Sequence, residues 1–121
     1  MISKRSVFLH VGSVNLKFVT SYLIVQIAPN HLAGNHSIRV GFTASKKIGN
    51  VVKRNYAKRI MRALVVREKN RLLNSTDYVF IARRAILDEK FSIIEDKFID
   101  AIKKVNNKIP LQKLDGNPKI F

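Results

Sequence analysis

The apolar positions of the chain change period several times, and each change marks an element. From Phe18 to Ala28 the residues are mostly β-branched or aromatic, which predicts a strand that ends at Pro29. Alternation sets Tyr22, Ile24 and Gln26 on one side of it and Leu23, Val25 and Ile27 on the other. Both sides are largely apolar, so the strand is expected to be covered or occupied on both. In Ser37–Ser45, Ile38, Val40, Phe42 and Ala44 alternate with Arg39, Gly41, Thr43 and Ser45, the pattern of a half-buried strand. Past the turn Gly49-Asn50 the period becomes 3.6. Asn50 is a good N-cap, and Ala57, Ile60, Met61 and Leu64 fall on one side of the helix it opens.

Asn74-Ser75-Thr76-Asp77 is expected to end that central segment, which spans Ser45–Leu73. Tyr78–Arg84 then reads as a strand finishing in an Arg83-Arg84 pair. Asp88–Val105 reads as an amphipathic helix with Phe91, Ile94, Phe98, Ile102 and Val105 on its core face. Met1–Val11 predicts a short helix stopped by Gly12, and Pro29–His36 a turn region containing Gly34-Asn35. Asn106–Phe121 holds two Pro and one Gly and reads as a flexible tail behind a domain spanning residues 1–105. The order helix, strands, helix, strand, helix predicts an α+β layer, one sheet with helices packed on a face. The strands flanking the central helix would form a βαβ crossover, right-handed by the general rule.

Charge changes the picture of the central helix. Arg54, Asn55, Lys58, Arg59, Arg62 and Lys69 fall on a face away from its core positions, over an arc of roughly 140°. Lys46, Lys47, Lys53 and Arg54 crowd the helix start, where the positive end of the dipole favours acidic side chains. A local rule broken this openly points to function. Backbone N–H groups, Lys and Arg together make an anion site, and phosphate is the obvious anion. A merely solvated charged face is the competing reading, but such faces normally mix both signs.

The chain has 121 residues, suited to one domain with one core, and a formal charge of +15. That charge is uneven. Residues 1–67 hold twelve Lys/Arg and no acid, whereas residues 68–121 hold eleven Lys/Arg against all eight acids. Such a field points to a polyanion, and to nucleic acid rather than a membrane. No apolar stretch is long enough to span a bilayer and no secretory signal opens the chain. The absence of Cys excludes disulfides and thiolate metal sites and fits a cytoplasmic location. A protein-only metal nuclease needs clustered carboxylates, and the basic half has none. Asp88/Glu89 and Glu95/Asp96 read as helix-start and solvated-face residues, and His10, His31 and His36 show no ligand spacing. No catalytic residue and no metal ligand is expected on this chain.

The stretch Ile38-Arg-Val-Gly-Phe-Thr-Ala-Ser-Lys-Lys-Ile-Gly-Asn-Val-Val-Lys-Arg-Asn-Tyr-Ala-Lys-Arg-Ile-Met-Arg62 resembles the signature of the bacterial ribonuclease P protein subunit. That family carries Arg-Asn-x-x-Lys-Arg-x-x-Arg after a Ser-Lys-Lys-x-Gly-Asn turn, and Arg54, Asn55, Lys58, Arg59 and Arg62 match it. Asp77–Arg83 is similar to the family's next strand and Lys4–Phe8 to its first helix. The resemblance implies a single-domain αβββαβα layer, one mainly antiparallel sheet with packed helices. It is similar to a ribosomal-protein domain, with a left-handed crossover in place of the usual hand. It also implies a subunit that binds the catalytic RNA of ribonuclease P and the 5′ leader of precursor tRNA. On that account the protein assists endonucleolytic removal of the leader, with Mg²⁺ held mainly by the RNA, and acts as a monomer in the holoenzyme.

Two sets of binding residues follow. The RNA-binding set is Lys46, Lys47, Lys53, Arg54, Asn55, Lys58, Arg59 and Arg62. In a leader-binding cleft on the sheet, the resemblance places Phe8, Ile24, Gln26 and Arg84. The alternation adds Tyr22, and the strand end adds Arg83. An extended strand would rest its bases on the apolar stripe and its phosphates on the arginines. Gln26 stands where the family often has an aromatic residue, and Gly12 where its first helix often has a second one. From the residues alone, a structural RNA-binding protein of the ribosome and a helix reading the DNA major groove stay open.

Overall fold

A computed structural model describes residues 8, 9, 11, 12, 14, 16–30 and 37–109. Its elements are β1 (Leu16–Val19), β2 (Leu23–Pro29), β3 (Ile38–Thr43), α1 (Val51–Arg67), β4 (Thr76–Ala82) and α2 (Phe91–Asn106). Short 3₁₀ turns occupy Lys46–Ile48, Lys69–Arg71 and Arg84–Leu87. The strands form one sheet in the order β1-β2-β4-β3. The β1–β2 and β2–β4 pairs are antiparallel, whereas β3 and β4 run parallel and are joined through α1. This is the expected α+β layer with a mixed, mainly antiparallel sheet.

One face of the sheet carries the main core. Leu23, Val25 and Ile27 of β2 and Tyr78 and Phe80 of β4 are fully buried there, with Phe42 of β3 beside them. α1 contributes Ala57, Ile60, Met61 and Leu64, the four positions its period predicts. α2 contributes Ile94, Phe98, Ala101, Ile102 and Val105. Phe80 sits at the centre, its ring 5.9 Å from Phe42 and 5.4 Å from Phe98. Tyr78 carries a hydroxyl into this core, donating to Asn106 Oδ1 at 2.7 Å and accepting from the Leu73 amide at 2.9 Å. Burial pushes that hydroxyl up to about 12, so its proton stays in place to donate.

Several boundaries differ from the sequence expectation. The run Phe18–Ala28 is a hairpin rather than one strand. Thr20 Oγ1 donates to the Leu23 carbonyl at 2.8 Å and accepts from the Tyr22 and Leu23 amides, so a local side-chain turn overrides β-propensity. Gly12 does not stop the first helical segment, since Gly12 and Val14 are both helical. The turn before β4 lies at Asn74–Ser75, with Ser75 at φ 58°, and Thr76 and Asp77 belong to the strand. α2 starts at Phe91, after Asp88 and Glu89, and Phe91 is 36% exposed at its rim rather than in the core. The folded body passes residue 105: Asn106 donates to the Arg71 carbonyl at 2.9 Å, and Ile109 is buried. The turn expected at Gly34-Asn35 and the tail beyond Ile109 lie outside the described residues.

Asp77 is also no surface turn residue. It is fully buried on β4, takes a two-pronged ion pair from Arg39 (2.7 and 2.5 Å) and accepts from Asn30 Nδ2 at 2.7 Å. The bond holds the Arg39 guanidinium above its usual pKa. Asn30 also donates to the Ser37 carbonyl at 2.8 Å, which ties the ends of β2, β3 and β4 together. A buried charge needs this degree of satisfaction to be tolerated.

Candidate nucleic-acid interface

The approach to α1 is built by three short-range devices. Ser45 Oγ accepts from the Lys47 amide at 3.3 Å and opens the 3₁₀ turn that carries Lys46 and Lys47. Gly49 then adopts φ 144°, a backbone that favours glycine, and a Cβ there would lie 2.8 Å from Lys53 Cδ. Asn50 Oδ1 caps the helix by accepting from the Lys53 amide at 3.0 Å. Lys46, Lys47 and Lys53 are thereby brought together at the helix start, all exposed.

Along α1 the burial of one face forces the other outward. Asn55, Arg59 and Arg62 are exposed, while Arg54 and Lys58 are half-buried at the flanks. Arg62 lies over the Phe42 ring at 5.6 Å, which anchors its guanidinium beside the core. Arg54 Nε is enclosed without a hydrogen-bond partner among the described residues, a cost more easily tolerated at a functional site. The ion pairs among the described residues go to Arg39, Arg67, Arg71 and Lys104; none goes to a lysine or arginine of the ridge. Arg54, Asn55, Lys58, Arg59 and Arg62 thus share one face of α1, with Lys46 and Lys47 on the 3₁₀ turn before it, whereas Lys53 in the first turn lines a pocket with Tyr56 and Arg84 instead. Lys69, added to that face by the period, lies past the end of α1 in a 3₁₀ turn.

The second predicted set does not stay together. Ile24, Gln26 and Ala28 of β2 face away from the main core, beside Ile81 and Val79 of β4. Phe8, Val11, Ala28, Val79 and Ile81 form a small apolar cluster there. Gly41 explains how Phe8 is seated, since a Cβ at Gly41 would meet the Phe8 ring at 3.1 Å. A glycine inside a strand pattern, as at Gly41, is the sequence signal of such a close approach. Phe8, Ile24 and Gln26 therefore share the sheet face opposite the two long helices. All three are half-buried, and Val19, paired with Ile24, is 47% exposed.

Tyr22 and Arg84 go elsewhere. Tyr22 precedes β2, packs against the helix-side core and donates to Glu89 Oε1 at 2.9 Å, so strand alternation does not govern it. That bond raises the Tyr22 pKa. Arg84 enters a 3₁₀ turn and lines a pocket with Lys53 and Tyr56 of α1. Arg83 is exposed and donates to the Thr20 carbonyl at 2.9 Å, at the hairpin end of the sheet. Glu95, read as a solvated-face residue, is paired with Arg67 at 2.6 Å. No group of three or more His, Asp or Glu positioned to hold a metal occurs among the described residues.

A family model described as Ribonuclease P matches residues 1–106. The ribonuclease P protein component of Paramagnetospirillum magneticum is 37% identical over 108 residues, covering 86% of this chain and 80% of that protein. The one from Alkaliphilus metalliredigens is 33% identical over 104 residues, covering 86% and 91%. Among solved structures, the ribonuclease P protein of Thermotoga maritima superposes with a TM-score of 0.73. It covers 85% of this chain and 94% of its own at 22% identity, a likeness of fold.

Proposed function

The chain belongs to the ribonuclease P protein family, and on that premise we propose that α1 binds the catalytic RNA while the open sheet face takes the 5′ leader of precursor tRNA. As a family member it is the protein component of a ribonuclease holoenzyme that processes tRNA, with an RNA partner. The observation that carries the finer reading is the ridge. Arg54, Lys58, Arg59 and Arg62 share one face of α1, Lys46, Lys47 and Lys53 sit at its start, and residues 1–67 contain no carboxylate to neutralise them. A surface of this kind recognises a phosphate backbone through charge-assisted contacts.

Mg²⁺ is the metal this reading implies. The described residues gather no carboxylate or imidazole cluster that fits it, so we assign the ion to the RNA partner and derive no step through it on this chain. The protein's part is to position: the ridge docks the catalytic RNA, and Ile24 and Gln26 give the leader a surface beside Phe8. Among the described residues no helix is long and apolar enough to cross a membrane. We place the protein in the cytoplasm with its RNA, one copy per holoenzyme. A structural role in the ribosome would use the same ridge, but the family match does not favour it.

Reconstitution tests the proposal. Full-length protein combined with the ribonuclease P RNA of the same organism should remove the leader from precursor tRNA in Mg²⁺, and the protein alone should cleave nothing. Leader removal by RNA-free protein, or affinity for ribosomal RNA equal to that for the catalytic RNA, would overturn it.

A further inference from the structure

Arg84 leaves the leader set because it helps to line a different cavity. Between the first turn of α1 and the β4–α2 connection lies a pocket of about 410 Å³, within the range of small-ligand sites. Its apolar wall is Ile48, Val52 and Leu87, and Val52 is 76% exposed. Tyr56 adds a half-exposed aromatic ring, and Lys53 and Arg84 add two cations from different elements. Asp88 completes the lining with a carboxylate that takes no ion pair among the described residues.

Each component narrows the ligand. A free phosphate would use Lys53 and Arg84, but it has no need of the apolar wall and would be repelled by Asp88. An apolar peptide would fill the wall and leave the cations unused. A nucleotide carries both a flat π face and an anion, and unstacked bases are commonly held on aromatic side chains and read along their edges. A carboxylate only accepts hydrogen bonds, so the base edge it meets must donate. Guanine offers two adjacent donors, N1–H and N2–H₂, to two carboxylate oxygens. Adenine and cytosine set a ring acceptor beside their amino group, and uracil flanks its N–H with carbonyls, which oppose a carboxylate.

We propose that this pocket takes an unpaired guanine nucleotide of the bound RNA, with its base on Tyr56, its donor edge at Asp88 and its phosphate at Lys53 and Arg84. The inference rests on the RNA-binding reading of the chain and deepens it, adding a base-specific contact to a surface that otherwise meets phosphates. The same chemistry could come from the catalytic RNA or from the precursor.

NMR titration of the full-length protein with GMP, AMP and inorganic phosphate tests it. GMP should move the Tyr56 ring and the Val52 and Leu87 methyls, at a concentration at least roughly fivefold below that needed for AMP. Inorganic phosphate should leave those signals in place. Asp88→Asn should bring the two nucleotides to within about twofold of each other, and Tyr56→Ala should weaken both. Equal response to GMP and AMP in the wild type, or a preference that survives Asp88→Asn, would overturn the proposal. In the holoenzyme, Tyr56→Ala locates the nucleotide: weaker assembly puts it in the catalytic RNA, and weaker precursor binding with normal assembly puts it in the precursor. Loss of neither would overturn the site. Arg59→Ala, outside the pocket, separates this from the ridge: unchanged RNA affinity in that variant defeats the ridge while the GMP preference stands.

Discussion

α1 and α2 pack side by side on one face of one sheet, α1 against β3 and β4 and α2 against β1 and β2, and they handle charge in opposite ways. Asp88 and Glu89 precede α2, and Lys103 and Lys104 occupy its last turn, the arrangement the helix dipole favours. Lys46 and Lys47 precede α1, whose first turn holds Lys53 and Arg54 with no acid. α2 exposes a mixed face on which Asp100 lies 3.9 Å from Lys104. Among the described residues α1 has one ion-paired cation, Arg67, and its partner is Glu95 of α2. Charge on α1 is thus neutralised where the protein meets itself and left open where it meets solvent. α2 balances its charge within the fold, and α1 leaves most of its charge unbalanced there.

The sharpest test of the difference is stability against binding. Phe98 of α2 is fully buried against Phe80, so Phe98→Ala should cost about 3–5 kcal/mol in denaturant unfolding. A loss below about 1 kcal/mol would remove α2 from the core. On α1, Arg54→Ala or Arg59→Ala should weaken binding of the catalytic RNA by about 1–3 kcal/mol at unchanged Tm. Each should also flatten the plot of log affinity against log salt by nearly one unit per lost phosphate contact. The matched changes Lys97→Ala and Lys103→Ala, on the exposed face of α2, should do neither. Equal losses from the two helices would erase the contrast.

A smaller effect is expected on the far side of the sheet. Ile24→Ser should weaken binding of precursors whose leader runs several nucleotides, by about 1–3 kcal/mol for one lost base contact. A precursor with a one-nucleotide leader should be almost unaffected. Equal losses on both, or a drop in thermal stability, would mean that Ile24 serves the core.

The least effect concerns the contact between the two helices. The hydrogen bond from Arg67 holds the Glu95 carboxyl below its usual pKa, outweighing the desolvation that would raise it and assisted by the Arg67 charge. A depressed folded-state pKa adds stability above the ordinary glutamate range. That contribution fades as pH falls below about 4.3 and is lost through the lower folded value. Arg67→Met should return the Glu95 titration, followed by NMR, to the ordinary range and flatten the pH dependence of unfolding there. A Glu95 titration unmoved by that substitution would show that Arg67 does not set it.

Local periodicity reached the two helical core faces and the ridge. Positions three and four apart meet on a helix whatever lies around it, so Ala57, Ile60, Met61 and Leu64 had to oppose Asn55, Arg59 and Arg62. The alternation of β3 and the Asn50 cap were legible for the same reason, since each depends on neighbours within a few residues. Breaks in regularity were harder to read. The hairpin turn at Thr20 rests on side-chain hydrogen bonds that compete with a strongly strand-forming sequence, and it released Tyr22 from the stripe.

By itself, then, the sequence determined an acid-free basic half, one helix with a basic face opposite its core face and a family signature along it. Only the tertiary structure decided which distant residues meet. It paired Arg39 with Asp77 and Arg67 with Glu95, seated Phe8 over Gly41, and drew Arg84 away from the sheet to Lys53, Tyr56 and Asp88. Those partners are set by how strands and helices stack, and no period within one element carries that information.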